Sequence, residues 1–447
     1  MQFLENTFKL KANKTNVRTE IVGGLTTFFA MAYIIFVNPN YLSATGMDFN
    51  SVMVATCLGA AIGCFLTAFL ANVPFAQAPG MGLNAFFTYT VCMGMGYTWQ
   101  QALTIVLISG VLFLVITVSP LRSKIIASIP ASLKAAISAG IGLFIAFIGF
   151  LNADVVKLIG DIVVDGAVVA TDYSDMGAIT TNGPLLALIG VIITGILMAW
   201  KVKGALVIGI IATTIIGIPM GITHFPETLT MSSITIAPTL FKFDFGGLFS
   251  HGVLPILTAI VTFAFCDCFD TVGTLIGTAG NAGMLDKDGN LPTGDKALIA
   301  DAIATCAGAC LGTSTVTTFV ESSTGISEGA RTGLSSAVVG LLFALSIFLA
   351  PIAGIIPTQA TAPALIIVGM LMLKSAVNID WSNVEDALPC FLTIAIMPFA
   401  YSIADGIGFG MISYTLIKLF RGKAKEVPVL MYILSALFAL MYILSGI

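Results

Sequence analysis

The chain has 447 residues, 57% of them hydrophobic and only 9% charged. Soluble domains carry about 25% charged residues, so the composition excludes an ordinary soluble protein and predicts a polytopic integral membrane protein. The net charge of −4, with basic residues scattered among loops, excludes a nucleic-acid-binding stripe.

In chain order, residues 1–19 form a polar lead with Lys9, Lys11, Lys14 and Arg18. No signal peptide is expected, because no small-residue cleavage site follows the first apolar run. A membrane helix needs about 20 mostly apolar residues. On that measure, spans are predicted near 20–38, 51–71, 78–95, 101–119, 132–151, 184–200 and 204–220. A polar, extracytoplasmic loop follows at 221–250. Further spans are predicted near 252–280, 295–312, 321–333, 334–350, 360–376, 388–404 and 405–420. The residues Lys9 to Arg18, Arg122, Lys124, Lys134, Lys201, Lys203, Lys287, Lys296, Lys374 and Arg421 to Lys425 all fall on one side of this arrangement. Positive charge marks the cytoplasmic side, so a cell-membrane protein with a cytoplasmic N-terminus is expected.

With an odd number of spans before the long loop, the second half runs opposite to the first. The expected fold is therefore an all-α polytopic membrane protein of about fourteen transmembrane helices. Its two inverted seven-helix repeats occupy residues 20–220 and 251–420. Residues 421–447 hold a basic loop and an apolar run at 428–446, read as an extra C-terminal helix, spanning or interfacial. The competing count makes that run the fourteenth span and merges 388–420 into one broken span, against the charge rule.

Two spans are interrupted. In Phe75-Ala-Gln-Ala-Pro79-Gly-Met-Gly-Leu-Asn84-Ala-Phe-Phe87, Pro79 stops an incoming helix. Gly80 and Gly82 allow close backbone approach before a helix begins near Leu83. In the second half, Thr313 to Val320 carries five Thr or Ser residues in eight, and Glu321 opens a short helix. That β-branched composition predicts an extended segment followed by a half-helix. Irregular backbone at membrane depth is tolerated only where protein buries it or it lines a cavity. Paired broken spans in corresponding positions point to a midplane binding site.

The acids near these breaks are the candidate chemistry. Glu321 sits where the helix dipole favours a carboxylate. Asp267 and Asp270 are three apart and share a helix face. A central Asp costs about 2.5–3.5 kcal/mol on insertion scales, so two in one span need compensation. That compensation is either hydroxyls and backbone amides or a functional site. Close acids titrate as a coupled system, one of them holding a proton at neutral pH. Asp301 is an interfacial charge or a supporting acid. Asn84 supplies both donor and acceptor. Phe28, Phe29, Phe86 and Phe87 stack on a planar ligand or simply pack. Glu328 and Arg331 are expected to pair at the cytoplasmic end of the short helix, and Asp405 to occupy a turn. The eight cysteines are read as apolar packing residues. A metal site built on Cys266, Cys268, Cys306 and Cys310 is disfavoured, because His224 and His251 flank a loop. Two or three carboxylates, an amide, hydroxyls and rings suit a small planar solute with several N–H groups. The lack of a basic side chain at midplane argues against an anion.

These motifs resemble the nucleobase–cation symporter (nucleobase–ascorbate transporter) family, specifically its AzgA-like branch of hypoxanthine/guanine/adenine permeases. The resemblance rests on Gln77-Ala-Pro-Gly-Met-Gly-Leu-Asn84-Ala-Phe-Phe, Phe269-Asp-Thr-Val-Gly-Thr274, Ser314-Thr-Val-Thr-Thr-Phe-Val-Glu-Ser-Ser-Thr-Gly325 and Gly329-Ala-Arg-Thr-Gly333. It runs from about Val17 to Phe420. It implies a core domain of spans 1–4 and 8–11 and a gate domain of spans 5–7 and 12–14, with strands and half-helices in spans 3 and 10. It implies a secondary active transporter, not an enzyme, that takes up purine nucleobases by proton symport with an elevator-type motion. Na⁺ is the alternative coupling ion, no cofactor is expected, and a homodimer is allowed. By the same resemblance, Asp270, Glu321 and Asn84 bind the base; Phe28, Phe87, Ser322 and Thr271 are further binding candidates read from the residues around them. The resemblance gives Asp301 as a supporting acid and leaves open which acid carries the proton; read from the residues, Asp267, Asp301 and Thr274 are the candidates for proton coupling or support. Thr274 stands where the uracil branch has histidine, so the proton path cannot be copied from there. The alternative is a same-fold transporter of another small solute or an anion held by half-helix N-termini.

Overall fold

The computed structural model describes residues 2–119, 129–159, 162–164, 167–170, 173–224, 234–281, 284–285 and 291–445. Arg122, Lys124 and Lys287, which entered the loop-charge argument, lie outside the described residues, as does 225–233 of the predicted loop. The apolar runs become helices. A short α1 (Gln2–Phe8) precedes α2 (Val17–Met31), which breaks at Ala32–Tyr33 and resumes as α3 (Ile34–Ser43). The next helix, α4 (Phe49–Leu66), widens into a π-helical turn at Thr67–Ala71. Strand β1 (Gln77–Pro79) leads into α5 (Met81–Ala85), which continues as a π-helix to Gly94. Two more helices follow, α6 (Trp99–Val118) and α7 (Ala131–Asn152).

After the strands β2 (Val156–Ile159), β3 (Ile162–Val164), β4 (Ala167–Ala170) and β5 (Tyr173–Met176) come α8 (Asn182–Ala199), α9 (Ala205–Gly217), α10 (Val253–Asn281) and α11 (Gly294–Leu311). The second interrupted span is β6 (Val316–Thr318) with α12 (Ser322–Ser327). The chain ends with α13 (Gly333–Ser346), α14 (Thr358–Leu373), α15 (Val384–Phe399), α16 (Ile403–Phe420) and α17 (Val429–Ser445). Eight helical stretches among the described residues are long and apolar enough to cross a membrane, the longest being Val17–Ser43 at 27 residues. Three shorter apolar helices accompany them.

Helix starts follow capping chemistry. The side chains of Asn16 and Asp48 accept from Thr19 N at 3.0 Å and Ser51 N at 2.8 Å. Thr98 and Gln101 close a reciprocal capping box on α6. Ser402 caps α16 by accepting from Asp405 N at 3.2 Å. Asp405 therefore lies in the first turn of a helix, where the dipole favours an acid, rather than in the turn expected from sequence. Three separate helices, α15, α16 and α17, occupy 384–445, and α16 packs on both of the others.

Two features depart from the sequence reading. The polar lead is helical in part, and Phe8 is buried, its ring 5.8 Å from that of Phe69. The all-α expectation also missed residues 156–176, where β2 pairs with β5 and β3 with β4, all antiparallel. Runs of Val and Ile around an Asp165-Gly166 pair carry a hairpin signature. A search for twenty-residue apolar windows passes over it.

The helices sort into two packing groups. In the first, α4 packs on α3, α11, α13 and β1, while α2 packs on α12 and α13 and α6 on α10 and α11. In the second, α7 packs on α14 and α15, α8 on α9 and α14, and α16 on α15 and α17. Apolar side chains such as Ile192, Ile215 and Phe391 stay exposed, as surfaces facing lipid do, since lipid tails are as apolar as Leu.

Candidate functional site

The two interrupted spans meet each other. Strand β1 pairs antiparallel with β6 in the register Gln77↔Thr318, Ala78↔Thr317 and Pro79↔Val316. Gly80 N donates to Thr315 O at 3.0 Å and Phe319 N to Ala76 O at 2.9 Å, extending the ladder at both ends. Pro79 has no N–H, so it fits only where no ladder donor is required. A Cβ on Gly80 would run into Thr317 Cγ2, so the crossing depends on a glycine there.

This crossing leaves a cavity with about 70 Å³ of room for the centres of water molecules. Each wall comes from a different element. The α2–α3 break gives Tyr33, α10 gives Asp270 and Thr274 one turn apart, and Gly80 to Gly82 close one side. The stretch from Thr317 to Glu321 forms the opposite wall. Val368 and Met372 of α14 complete it from the second packing group. Among the described lining residues none is basic. Tyr33 Oη donates to Glu321 Oε1 at 2.9 Å and fixes that carboxylate against the wall.

The structure divides the sequence-predicted residues into three sets. Asp270, Thr274 and Glu321 reach the cavity together. Asp267 and Asp301, 1% and 0% exposed, lie behind it. There Thr305 Oγ1 is 2.9 Å from Asp267 Oδ2, while Gln77 Nε2 at 3.1 Å and Thr318 Oγ1 at 2.9 Å both donate to Asp301 Oδ1. Thr271 Oγ1 lies 2.8 Å from Thr317 Oγ1, tying α10 to the strand.

The third set lies outside the cavity lining. Asn84 does not line the cavity; its Oδ1 accepts from Ser314 and its Nδ2 donates to Pro79 O at 3.4 Å. Ser322 Oγ accepts from Ala76 N at 3.0 Å and donates to Phe319 O at 2.7 Å, clipping the half-helix to the first broken span. Phe28 packs edge-on against Phe343 at 5.2 Å, and Phe87 is fully buried. The aromatic walls of the cavity are Tyr33 and Phe319 instead.

Sequence reasoning also missed Glu20. Its carboxylate is 0% exposed and accepts from Arg331 N at 2.8 Å, Ser335 N at 3.2 Å and Thr332 N at 3.3 Å, capping α13 from a different helix. The expected Glu328–Arg331 pair does not form. Glu328 pairs with Lys203 Nζ at 2.7 Å, while Arg331 Nη1 donates to the carbonyls of Ile326 and Ala330 at 2.7 Å. The Ile326 carbonyl at the end of α12 accepts from Gly329 N at 3.0 Å and uses its second lone pair for Arg331.

Comparison with known proteins agrees with this architecture. A family described as "Permease family" (Xan_ur_permease) matches residues 18–409. The chain is 39% identical to the adenine permease AdeP of Escherichia coli, over 98% of this chain and 95% of that one. It is 42% identical to the guanine/hypoxanthine permease PbuG of Bacillus subtilis, over 96% of this chain and 97% of that one. Among solved structures, the transmembrane domain of a cyanobacterium bicarbonate transporter, BicA, superposes with a TM-score of 0.62 at 18% identity, covering 87% of this chain and 97% of that one. At that identity the likeness is one of fold alone. The chain is thus a multi-pass membrane permease, not an enzyme, and it belongs to the Xan_ur_permease family, the nucleobase–cation symporter group that its sequence resembles.

Proposed function

We propose that the protein is a secondary active transporter that takes up purine nucleobases, with hypoxanthine, guanine and adenine as the candidate substrates. One observation carries this reading. Two carboxyl side chains, Asp270 and Glu321, face one cavity whose described lining holds no basic group. Carboxylates only accept, so the matching solute presents several N–H donors, as a purine edge does. Each charge-assisted hydrogen bond of this kind contributes about 1.5–3 kcal/mol. Tyr33 and Phe319 supply faces for a planar ring. The substrates in the names of AdeP and PbuG, relatives that align over almost their whole length, support the same class.

The two packing groups correspond to a core domain that carries the site and a gate domain that opposes it. Each seven-span half, 20–220 and 251–420, contributes one broken span to the core. The cavity lies where α14 of the gate meets both broken spans, and elevator-type movement of the core past the gate carries the bound base across. The N-terminus is cytoplasmic by loop charge. Entry is driven by protons, since two buried acids lie behind the cavity. Uptake of labelled hypoxanthine, guanine and adenine into a cell lacking its own purine permeases tests the assignment. Saturable uptake of at least one base is expected, and no uptake of any of them removes the purine reading.

A further inference from the structure

Thr305 has one hydroxyl hydrogen and two acceptors in range. Its Oγ1 lies 2.9 Å from Asp267 Oδ2 and 3.0 Å from the carbonyl of Val316. That carbonyl lies in β6 at a non-hydrogen-bonded pair with Pro79, so it points away from β1 and toward Thr305. A buried carbonyl and a buried carboxylate therefore compete for a single hydrogen. Behind the strand, Asp267 of α10 and Asp301 of α11 are both buried, the first bonded by Thr305 and the second by Thr318 and Gln77. Each leaves one oxygen, Asp267 Oδ1 and Asp301 Oδ2, with no hydrogen-bond partner. The titratable groups facing this pair are Asp270 and Cys266 on α10 and Cys306 on α11, with Glu321 beyond Asp270 on the cavity side. None of them is basic, so no cation in the described structure balances two carboxylates.

We propose that Asp267 and Asp301 together hold one exchangeable proton, and that this pair, rather than the substrate-facing acids, is the seat of the coupling ion. The inference rests on the purine-uptake reading and deepens it. With the proton on Asp267 Oδ2, the acid donates to Thr305 and Thr305 turns its own hydrogen to Val316 O, so the hydroxyl, the carbonyl and Oδ2 each have a partner. When the proton leaves, Thr305 turns its hydrogen to the carboxylate and the Val316 carbonyl loses its donor. The strand that feels this change also carries Thr317 and Thr318, which line the substrate cavity. Thr318 bonds to Asp301 and Thr317 to Thr271. Loading of the proton is thereby read out as the position of one cavity wall, with no direct contact between proton and base.

The test uses purified protein in proteoliposomes, with labelled hypoxanthine as the probe. Wild-type protein is expected to bind the base, exchange it across the membrane and accumulate it under an inward proton gradient. Asp267→Asn keeps a donor toward Thr305 but cannot release it. It is expected to retain binding within about threefold and to retain exchange, yet to lose gradient-driven accumulation. Asp301→Asn is expected to behave in the same way. Accumulation by Asp267→Asn at the wild-type level overturns the proposal. So does wild-type accumulation that follows a Na⁺ gradient and ignores the proton gradient. If Asp267→Asn does not fold, Thr305→Val decides, because it removes the relay and leaves both acids. Its uptake-versus-pH profile is expected to shift from the wild-type profile with base binding retained, and an unchanged profile overturns the proposal. Failure of the wild-type protein to bind or exchange any purine is a different result and refutes the purine reading instead.

Discussion

Removing the Tyr33 hydroxyl isolates the contribution of Glu321 to binding. Tyr33 Oη is the one side-chain donor to Glu321 among the described hydrogen bonds, at 2.9 Å, and the ring itself is 1% exposed. Tyr33→Phe preserves the ring packing and deletes a hydrogen bond to a carboxylate. Such bonds contribute about 1.5–3 kcal/mol, which converts to roughly a 10- to 150-fold change in an equilibrium constant. The carboxylate freed from the wall also loses its fixed direction toward the cavity. Because the bond is already made in the free protein, only the lost orientation of Glu321 bears on affinity. The KM for purine uptake is therefore expected to rise more than twofold, with that factor as the ceiling, while the maximal rate per transporter falls less. Tyr41→Phe is the matched control, since the Tyr41 hydroxyl is buried and makes no hydrogen bond; it is expected to leave KM unchanged. Initial-rate uptake across a range of base concentrations, normalised to protein in the membrane, reads both. A KM for Tyr33→Phe within twofold of wild type refutes the reasoning that Tyr33 orients the binding acid.

Three further outcomes are expected. Gly325→Ala places a methyl group against the backbone of Gly23, at the close crossing of α12 and α2; overpacking of this kind costs about 1–3 kcal/mol. A lowered Tm of the detergent-purified protein, together with loss of uptake, is expected, and wild-type values for both contradict the close crossing. The Lys203–Glu328 pair joins the α8–α9 turn to the end of α12 with side chains 55% and 32% exposed. A double-mutant cycle on Tm should return a coupling of only about 0.2–1 kcal/mol that salt screens away.

The third outcome concerns Glu385, ahead of the apolar part of α15, which accepts from Lys423 at 2.8 Å, Lys418 at 2.9 Å and Arg421 at 2.9 Å. These cations hold its carboxyl down at about 2, against about 4.3 in an unfolded chain. Stability from this group is thus complete above the ordinary Glu range and lost as pH falls through about 2. The Tm difference between wild type and Glu385→Gln should be largest at neutral pH and should close as pH falls from about 4.5 toward 2. A gap that does not depend on pH argues against ionic pairing as its source.

Much of the site was legible because polarity is costly in an apolar chain. Pro79 with its glycines, the Thr-rich run and the acids Asp270 and Glu321 stand out against 57% hydrophobic residues, and the structure joins them at one cavity. The features that were missed depend on which helices touch. Nothing local marks Tyr33 as the partner of Glu321, 288 positions away, or Glu20 as the cap of a helix more than 300 positions on. Asn84 read as a ligand because an amide at a broken span needs partners; Ser314, on the opposite broken span, supplies one. Glu328 and Arg331 have the right spacing for a pair, yet the guanidinium folds back onto the carbonyls of Ile326 and Ala330, and Glu328 turns to Lys203. The β-hairpins at 156–176 escaped because span counting looks for length rather than alternation.

Equilibrium binding of labelled hypoxanthine, guanine and adenine to the purified protein, beside Asp270→Asn and Glu321→Gln, tests the central claim most directly. Saturable binding of at least one base to the wild-type protein is expected, with at least a tenfold loss in each variant that still elutes as folded protein. Undiminished binding in both variants, or no purine binding by the wild type, contradicts it.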